Sequence, residues 1–152
     1  MKCVILAGGR GTRLSELTDK LPKPMVKIVG KPIIVHIINH FRKYGIREFI
    51  IAAGYKKEII NKYFQKNSFK SCNIKVVNTG LNTMTGGRIK RLKKYLINEP
   101  FFMTYGDGLS SVNIKKLYEF HKKHKKIASL TAVRPPARFG ALKISSKKVV
   151  TY

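Results

Sequence analysis

Only two cysteines, Cys3 and Cys72, occur in this sequence, far apart and in no metal-like pairing. This argues against a disulfide framework or a zinc ribbon and makes a reducing cytoplasm the expected setting. Acidic side chains are also scarce, seven against 32 lysines and arginines. That leaves little for chemistry built on paired carboxylates. No apolar run approaches the roughly 18 residues needed to cross a bilayer, so no membrane association is expected. The opening MKCVILAGG runs into glycines and arginines rather than into a long apolar stretch with a small-residue cleavage site, so no signal peptide is read. Internal repeats, low-complexity tracts and linkers are missing too, and residues 1–152 are expected to form one domain.

What is present is a charge of +25 on an otherwise globular composition. Such a charge attracts anions of any kind, from nucleic acid to phosphorylated small molecules. The lysines are scattered along the chain, and aromatic residues do not alternate with them as base-stacking surfaces require, which argues against nucleic acid. The densest run, HKKHKK at 121–126, closes a helical pattern, where cations favour the negative end of the dipole.

Apolar β-branched runs alternate with helical patterns from end to end, which predicts an open, mostly parallel, Rossmann-like α/β sheet with helices on both faces. KCVILA, REFIIAAG, NIKVVN, PFFMTYG and IASLTAVRP read as strands. KPIIVHIINHFRKYG, KKEIINKYFQKN, GGRIKRLKKYLIN and VNIKKLYEFHKKH read as helices, the first entered through Pro32 and stopped by Gly45. LKIS and KVVTY read as a terminal hairpin. Tyr152 closes an apolar strand with no cap or tail, so a C-terminally truncated chain is expected.

Ligands of open parallel sheets bind at the carboxyl ends of the strands. Four segments rich in glycine or polar groups fall there, GGRGTR, GYKK, NTGLNTMTGGR and GDG, each after one of the first four strands. LAGGRGTRL offers a tight glycine turn whose N–H groups, with Arg10 and Arg13, can face phosphate oxygens, the alternative being a plain strand-to-helix turn with exposed arginines. Lys23 stands between Pro22 and Pro24, which stiffen the segment and bias it toward extended backbone. In YGDG, Asp107 leaves a strand between Gly106 and Gly108, where one carboxylate suffices for a hydrated Mg²⁺ or merely makes an Asp-Gly turn. In NTMTGGRIKRL, Thr83, Thr85 and Arg88 are candidates for nucleotide or phosphate contact, with Thr85 alternatively the N-cap of the next helix. His36 and His40 share a helix face without the glutamate of a metalloprotease, and read as partly buried structural histidines.

Taken in order, LAGGRGTRL, PKPM, GKPII, GIREFIIAAGY, MTGGR, TYGDG and PPARFGAL resemble the sugar-phosphate nucleotidyltransferases over the whole chain. TMTGGR, FFMTYGDG and RFGAL are similar to the cytidylyl branch. The resemblance implies Mg²⁺-dependent transfer of a cytidylyl group from CTP to α-D-glucose 1-phosphate, giving CDP-glucose and pyrophosphate. By position it implies that Leu6, Ala7, Gly8, Gly9, Arg10, Gly11, Thr12 and Arg13 hold the nucleotide and that Lys23 holds a phosphate. Thr83, Arg88 and Gly106 would complete the substrate site, and Asp107 would be the metal ligand. Arg13 and Lys23 are the residues expected to act on the reacting phosphates. The resemblance further implies a homo-oligomer when full length, a later sugar-binding region with a second metal aspartate that has no counterpart here, and a longer excursion than the one between Phe64 and Asn73. The alternatives are the same chemistry with dTTP, UTP or GTP, and a non-catalytic nucleotide- or nucleic-acid-binding fragment.

Overall fold

The computed structural model describes residues 1–10, 20–97, 99–133, 143–144 and 150–151. The chain divides into two units, Met1–Lys115 and Lys116–Tyr152. The first holds a parallel sheet of β1 (Lys2–Ala7), β4 (Glu48–Ala53), β5 (Asn73–Asn78) and β6 (Phe101–Tyr105), in the order β5-β4-β1-β6. A two-residue antiparallel pair, β2 (Lys27–Ile28) and β3 (Lys31–Pro32), precedes helix α1 (Ile33–Lys43). Helices α2 (Lys57–Lys66) and α3 (Thr85–Arg91) follow β4 and β5, and α4 (Ile114–His124) follows β6.

β1 is apolar along its length because it is central and packed on both faces, as parallel strands are. Its alternate side chains enter two cores. Cys3, Ile5 and Ala7 join Ile34, Ile38 and Phe41 of α1, Ile60 of α2 and Ile114 of α4. Val4 and Leu6 join Ile50, Ala52 and Leu92 on the opposite face. Helices therefore cover both faces, as the alternating pattern predicts. Burial pushes the Cys3 thiol well above its ordinary range, so this cysteine behaves as a core hydrophobe.

Pro32 is the N-cap of α1, and Gly45 at φ +83° receives the chain after the last turn. The stretch expected as one long helix from Gly86 is shorter: α3 ends at Arg91, and a single 3₁₀ turn, Lys93–Tyr95, follows. Thr85 is the first helical residue rather than the N-cap, which is Met84 with no capping side chain.

In the second unit the remainder of α4 ends in the basic turn His121–His124, and the hairpin β7 (Lys143–Ile144) with β8 (Val150–Thr151) forms where the sequence indicated one. The strand expected in IASLTAVRP is not found. Residues 127–133 take no regular structure, and Ile127, Leu130 and Val133 are exposed. An apolar β-branched run becomes a strand only where neighbouring backbone completes its ladder, and none does so among the described residues. PPARFGAL lies outside the described residues.

Candidate active site

The register sets one edge of the sheet nearly level. Ala7 pairs with Ala53, Ala53 with Asn78, and Leu6 with Tyr105. The chain order reverses about β1, since β4 and β5 extend to one side and β6 lies on the other. The crevice beyond the carboxyl ends of β1 and β6 is therefore the switch point at which such sheets bind ligands.

β6 delivers Gly106 and Asp107 to that crevice. The Gly106 N–H donates to the Leu6 carbonyl at 2.8 Å, extending the ladder by one residue. A Cβ on Gly106 would stand 2.8 Å from Cγ of Pro24 and 3.0 Å from the Leu6 oxygen, so only glycine permits Pro24 to lie on this strand end. Pro22 is fully buried, and Pro22 to Val26 makes one 3₁₀ turn closed by Met25 N–H to Pro22 oxygen at 2.7 Å. The extended backbone expected of the segment is found only at its two ends, Pro22 and Val26, because a turn is what lays Pro24 on Gly106. Lys23 then reaches across, its Nζ 2.5 Å from Oδ2 of Asp107, with both side chains about one-third exposed at 31% and 33%. The two residues come from separate motifs, and the fold joins them in one ion pair open to solvent.

On the other side of β1, Arg88 of α3 is 5% exposed and lies behind the glycine turn. Its Nη1 donates to Thr79 Oγ1 and to the Gly80 carbonyl, both at 2.7 Å. Its Nη2 donates to the carbonyls of Gly8 at 2.9 Å and Leu81 at 3.2 Å. None of the four acceptors is a carboxylate. Burial, with Arg91 nearby, lowers the guanidinium pKa. The arrangement needs two glycines: a Cβ on Gly8 would strike the guanidinium, and one on Gly54 would stand 2.7 Å from Nη1. Arg88 thus ties the ends of β1 and β5 together.

Thr83 accepts a hydrogen bond at Oγ1 from Arg91 Nη1 at 2.7 Å. Leu6 and Ala7 point into the two cores and offer the crevice only backbone. Gly9 and Arg10 are exposed, and a Cβ at Gly9 would meet nothing within 4 Å. Gly11, Thr12 and Arg13 lie outside the described residues. His36 and His40 each hold a backbone carbonyl through Nε2, that of Ile28 at 2.8 Å and that of Val112 at 2.9 Å, which makes them structural. Among the described residues no cluster of three or more His, Cys, Asp or Glu side chains could hold a metal ion. No helix among them is long and apolar enough to cross a membrane. A hollow of about 310 Å³ lined by Leu21, Met25, Pro32, Ile59 and Tyr63, with Lys27, Lys62 and Lys66 also on its wall, contains none of the candidate residues. The strand-end crevice is the better site because the convergent polar groups are there.

Residues 2–152 match the family model described as nucleotidyl transferase. The chain belongs to the nucleotidyl transferase family. Among relatives of this nucleotidyl transferase, glucose-1-phosphate cytidylyltransferase of Salmonella typhi is 44% identical, with all of this chain and 68% of the relative aligned. Probable glucose-1-phosphate cytidylyltransferase of Bacillus subtilis is 37% identical with the same coverage. The first alignment runs over 174 positions against 152 residues here, so the relative carries about 22 residues within the aligned span that this nucleotidyl transferase lacks. Among solved structures, HddC from Yersinia pseudotuberculosis complexed with GMP-PN superposes with a TM-score of 0.72 at 29% identity, covering 99% of this chain and 67% of that one. UDP-glucose pyrophosphorylase complexed with UDP-glucose gives 0.68 at 26% identity, covering 82% and 54%. The parallel sheet flanked by helices is therefore the family architecture, as the sequence pattern implied.

Sequence reasoning missed Thr79, Gly54, Gly80 and Arg91. The available signal was the pair of arginines three apart after a glycine-rich turn, Arg88 and Arg91, which places both on one side of α3.

Proposed function

We propose that this nucleotidyl transferase moves a cytidylyl group from CTP to α-D-glucose 1-phosphate, forming CDP-glucose and pyrophosphate. The observation that carries the proposal is the meeting of Lys23 and Asp107 at the switch-point crevice. The similarity to cytidylyltransferases supports the choice of base and sugar. In this reaction an oxygen of the sugar phosphate attacks the α-phosphorus in line, the bond to the β-phosphate oxygen breaks, and pyrophosphate leaves with the electron pair. Little covalent work falls to the protein, so positioning and charge supply the rate.

Each residue has a part defined by its place. The backbone at Gly8 and Gly9 leaves β1 without side chains and lets a nucleotide approach closely, while Arg88 holds the Gly8 carbonyl from behind. The Lys23 ammonium faces the α-phosphate or the sugar phosphate. Arg13 is assigned to the leaving pyrophosphate. Thr83 contacts the nucleotide, and Gly106 keeps the floor of the crevice low.

Asp107 fits a hydrated Mg²⁺: it is a single, partly exposed carboxylate at a strand end between two glycines, and Mg²⁺ needs only one or two protein carboxylates beside water and phosphate oxygens. When bound there the ion supplies positive charge to the phosphate oxygens. Lys23 meets Oδ2 of this carboxylate, so the ammonium is held beside the place proposed for the ion and the phosphates.

Pyrophosphate release from this chain with CTP, glucose 1-phosphate and Mg²⁺ is the test, with dTTP, UTP and GTP run beside it. Release fastest with CTP is expected. Release fastest with another triphosphate overturns the base assignment, a reading favoured by the 38% identity to a heptose 1-phosphate guanylyltransferase of Campylobacter jejuni. Nucleotide binding without release with any of the four overturns the transferase assignment for this chain.

A further inference from the structure

We infer that Arg91 is the positioning residue for the Thr83 hydroxyl and, through it, a determinant of which nucleobase the site accepts. The inference rests on the reading of Thr83 as a nucleotide contact. Arg91 sits one turn beyond Arg88 on α3, and its Nη1 donates to two acceptors, the Thr79 carbonyl at 2.6 Å and Thr83 Oγ1 at 2.7 Å. Thr79 is a fixed anchor. It is fully buried, and both its N–H and its hydroxyl donate to the Ala53 carbonyl at 2.8 Å. The guanidinium thereby transmits the position of the sheet edge to a threonine in an otherwise irregular loop.

The surrounding glycines are shaped for this contact. Gly80 has φ +86°, and a Cβ there would strike the Arg91 guanidinium and stand 2.7 Å from Thr83 Oγ1. A Cβ on Gly87 would stand 2.9 Å from Cγ2 of Thr83. Both branches of the Thr83 side chain, and the arginine that meets one of them, occupy space that two missing methyl groups leave open.

The direction of the hydrogen bond has a chemical consequence. A guanidinium only donates, so Thr83 Oγ1 must accept from it, and the hydroxyl hydrogen is directed elsewhere. One lone pair is thus taken and the hydroxyl is biased toward donating. A donating hydroxyl matches the ring N3 of cytosine, which accepts, and not the N3–H of uracil or thymine, which donates. A site that fixes a polar group this way discriminates more sharply than one in which the hydroxyl turns freely.

The test is equilibrium binding of CTP and UTP, by calorimetry, to the wild-type chain and to Arg91→Met, Arg91→Lys, Thr83→Val and the double variant Thr83→Val/Arg91→Met. Arg91→Met should weaken CTP about ten-fold and narrow the CTP-to-UTP ratio by a similar factor, as expected for one misdirected hydrogen bond. Arg91→Lys should recover part of the ratio. In the Thr83→Val background Arg91→Met should change little further, since the group it positions is gone. Losses that simply add, or equal weakening of both nucleotides, would mean a generic cation and overturn the inference. Should circular dichroism show Arg91→Met unfolded, Arg91→Lys and Arg91→Gln complete the same cycle. If the wild type prefers another triphosphate, the function proposal fails while the cycle with that triphosphate still decides the role of Arg91; binding of neither CTP nor any other triphosphate overturns both.

Discussion

Lys23 and Asp107 belong to motifs far apart in the chain, yet Nζ and Oδ2 are 2.5 Å apart. The two side chains hold each other in place at the crevice, where the proposed reaction brings a phosphate-bearing substrate. Lys23→Met and Asp107→Asn are each expected to lower kcat for pyrophosphate release by roughly 10²-fold or more, the scale of losing one group aimed at developing charge. Thermal midpoints should move little, because exposed ion pairs contribute about 1 kcal/mol or less. A large drop in stability with unchanged kcat would show the pair to be structural only. Each motif taken alone allowed a bland reading, an Asp-Gly turn or a lysine in a loop. The residue types were legible, but their pairing was not, because nothing local to either motif specifies the other.

At the scale of elements, the PKPM turn and the end of β6 act as one piece through Pro24 on Gly106. Gly106→Ala places a methyl group against the proline ring and a strand carbonyl, which should cost about 1–3 kcal/mol of stability. It should also lift Lys23 from Asp107 and slow turnover. Adding Pro24→Ala should return part of the lost stability, measured by urea denaturation, since the contact with Cγ disappears; full additivity would show that the two segments are not coupled. α1, α2, β1, β4, β5 and β6 were readable within a residue or two, because each has one apolar period and a clear stop. α3 was not. Its sequence period runs on past Arg91, but two glycines in its first turn weaken it, and Leu92, fully buried in the second core, takes the chain into a 3₁₀ turn. The run at 127–133 shows the converse, a strand-like pattern without a ladder to join.

For the whole molecule, a charge of +25 with seven acidic residues suits the polyanionic substrates proposed for it. Long-range attraction of this kind raises encounter rates and is screened by salt. kcat/KM for CTP is therefore expected to fall several-fold as ionic strength rises from about 0.01 to 0.15 M, with kcat much less affected. A flat profile would assign the excess lysines to solvation alone.

Sequence by itself determined the parallel α/β architecture and the family, since apolar period, glycine turns and motif order are local or sequential properties of the chain. Tertiary structure alone decided which charged groups meet. Arg88, taken from the sequence for a nucleotide contact, has its hydrogen-bonding capacity directed to four protein acceptors that tie β1 to β5, and Lys23 is aimed by a proline resting on a distant glycine. Those outcomes depend on strand order and register, which bring remote backbone together. The opening LAGGRGTRL, ambiguous between turn and cradle, acquires its role at Gly8 in the same way: its carbonyl is gripped from behind by a buried arginine supplied from the far side of the sheet edge.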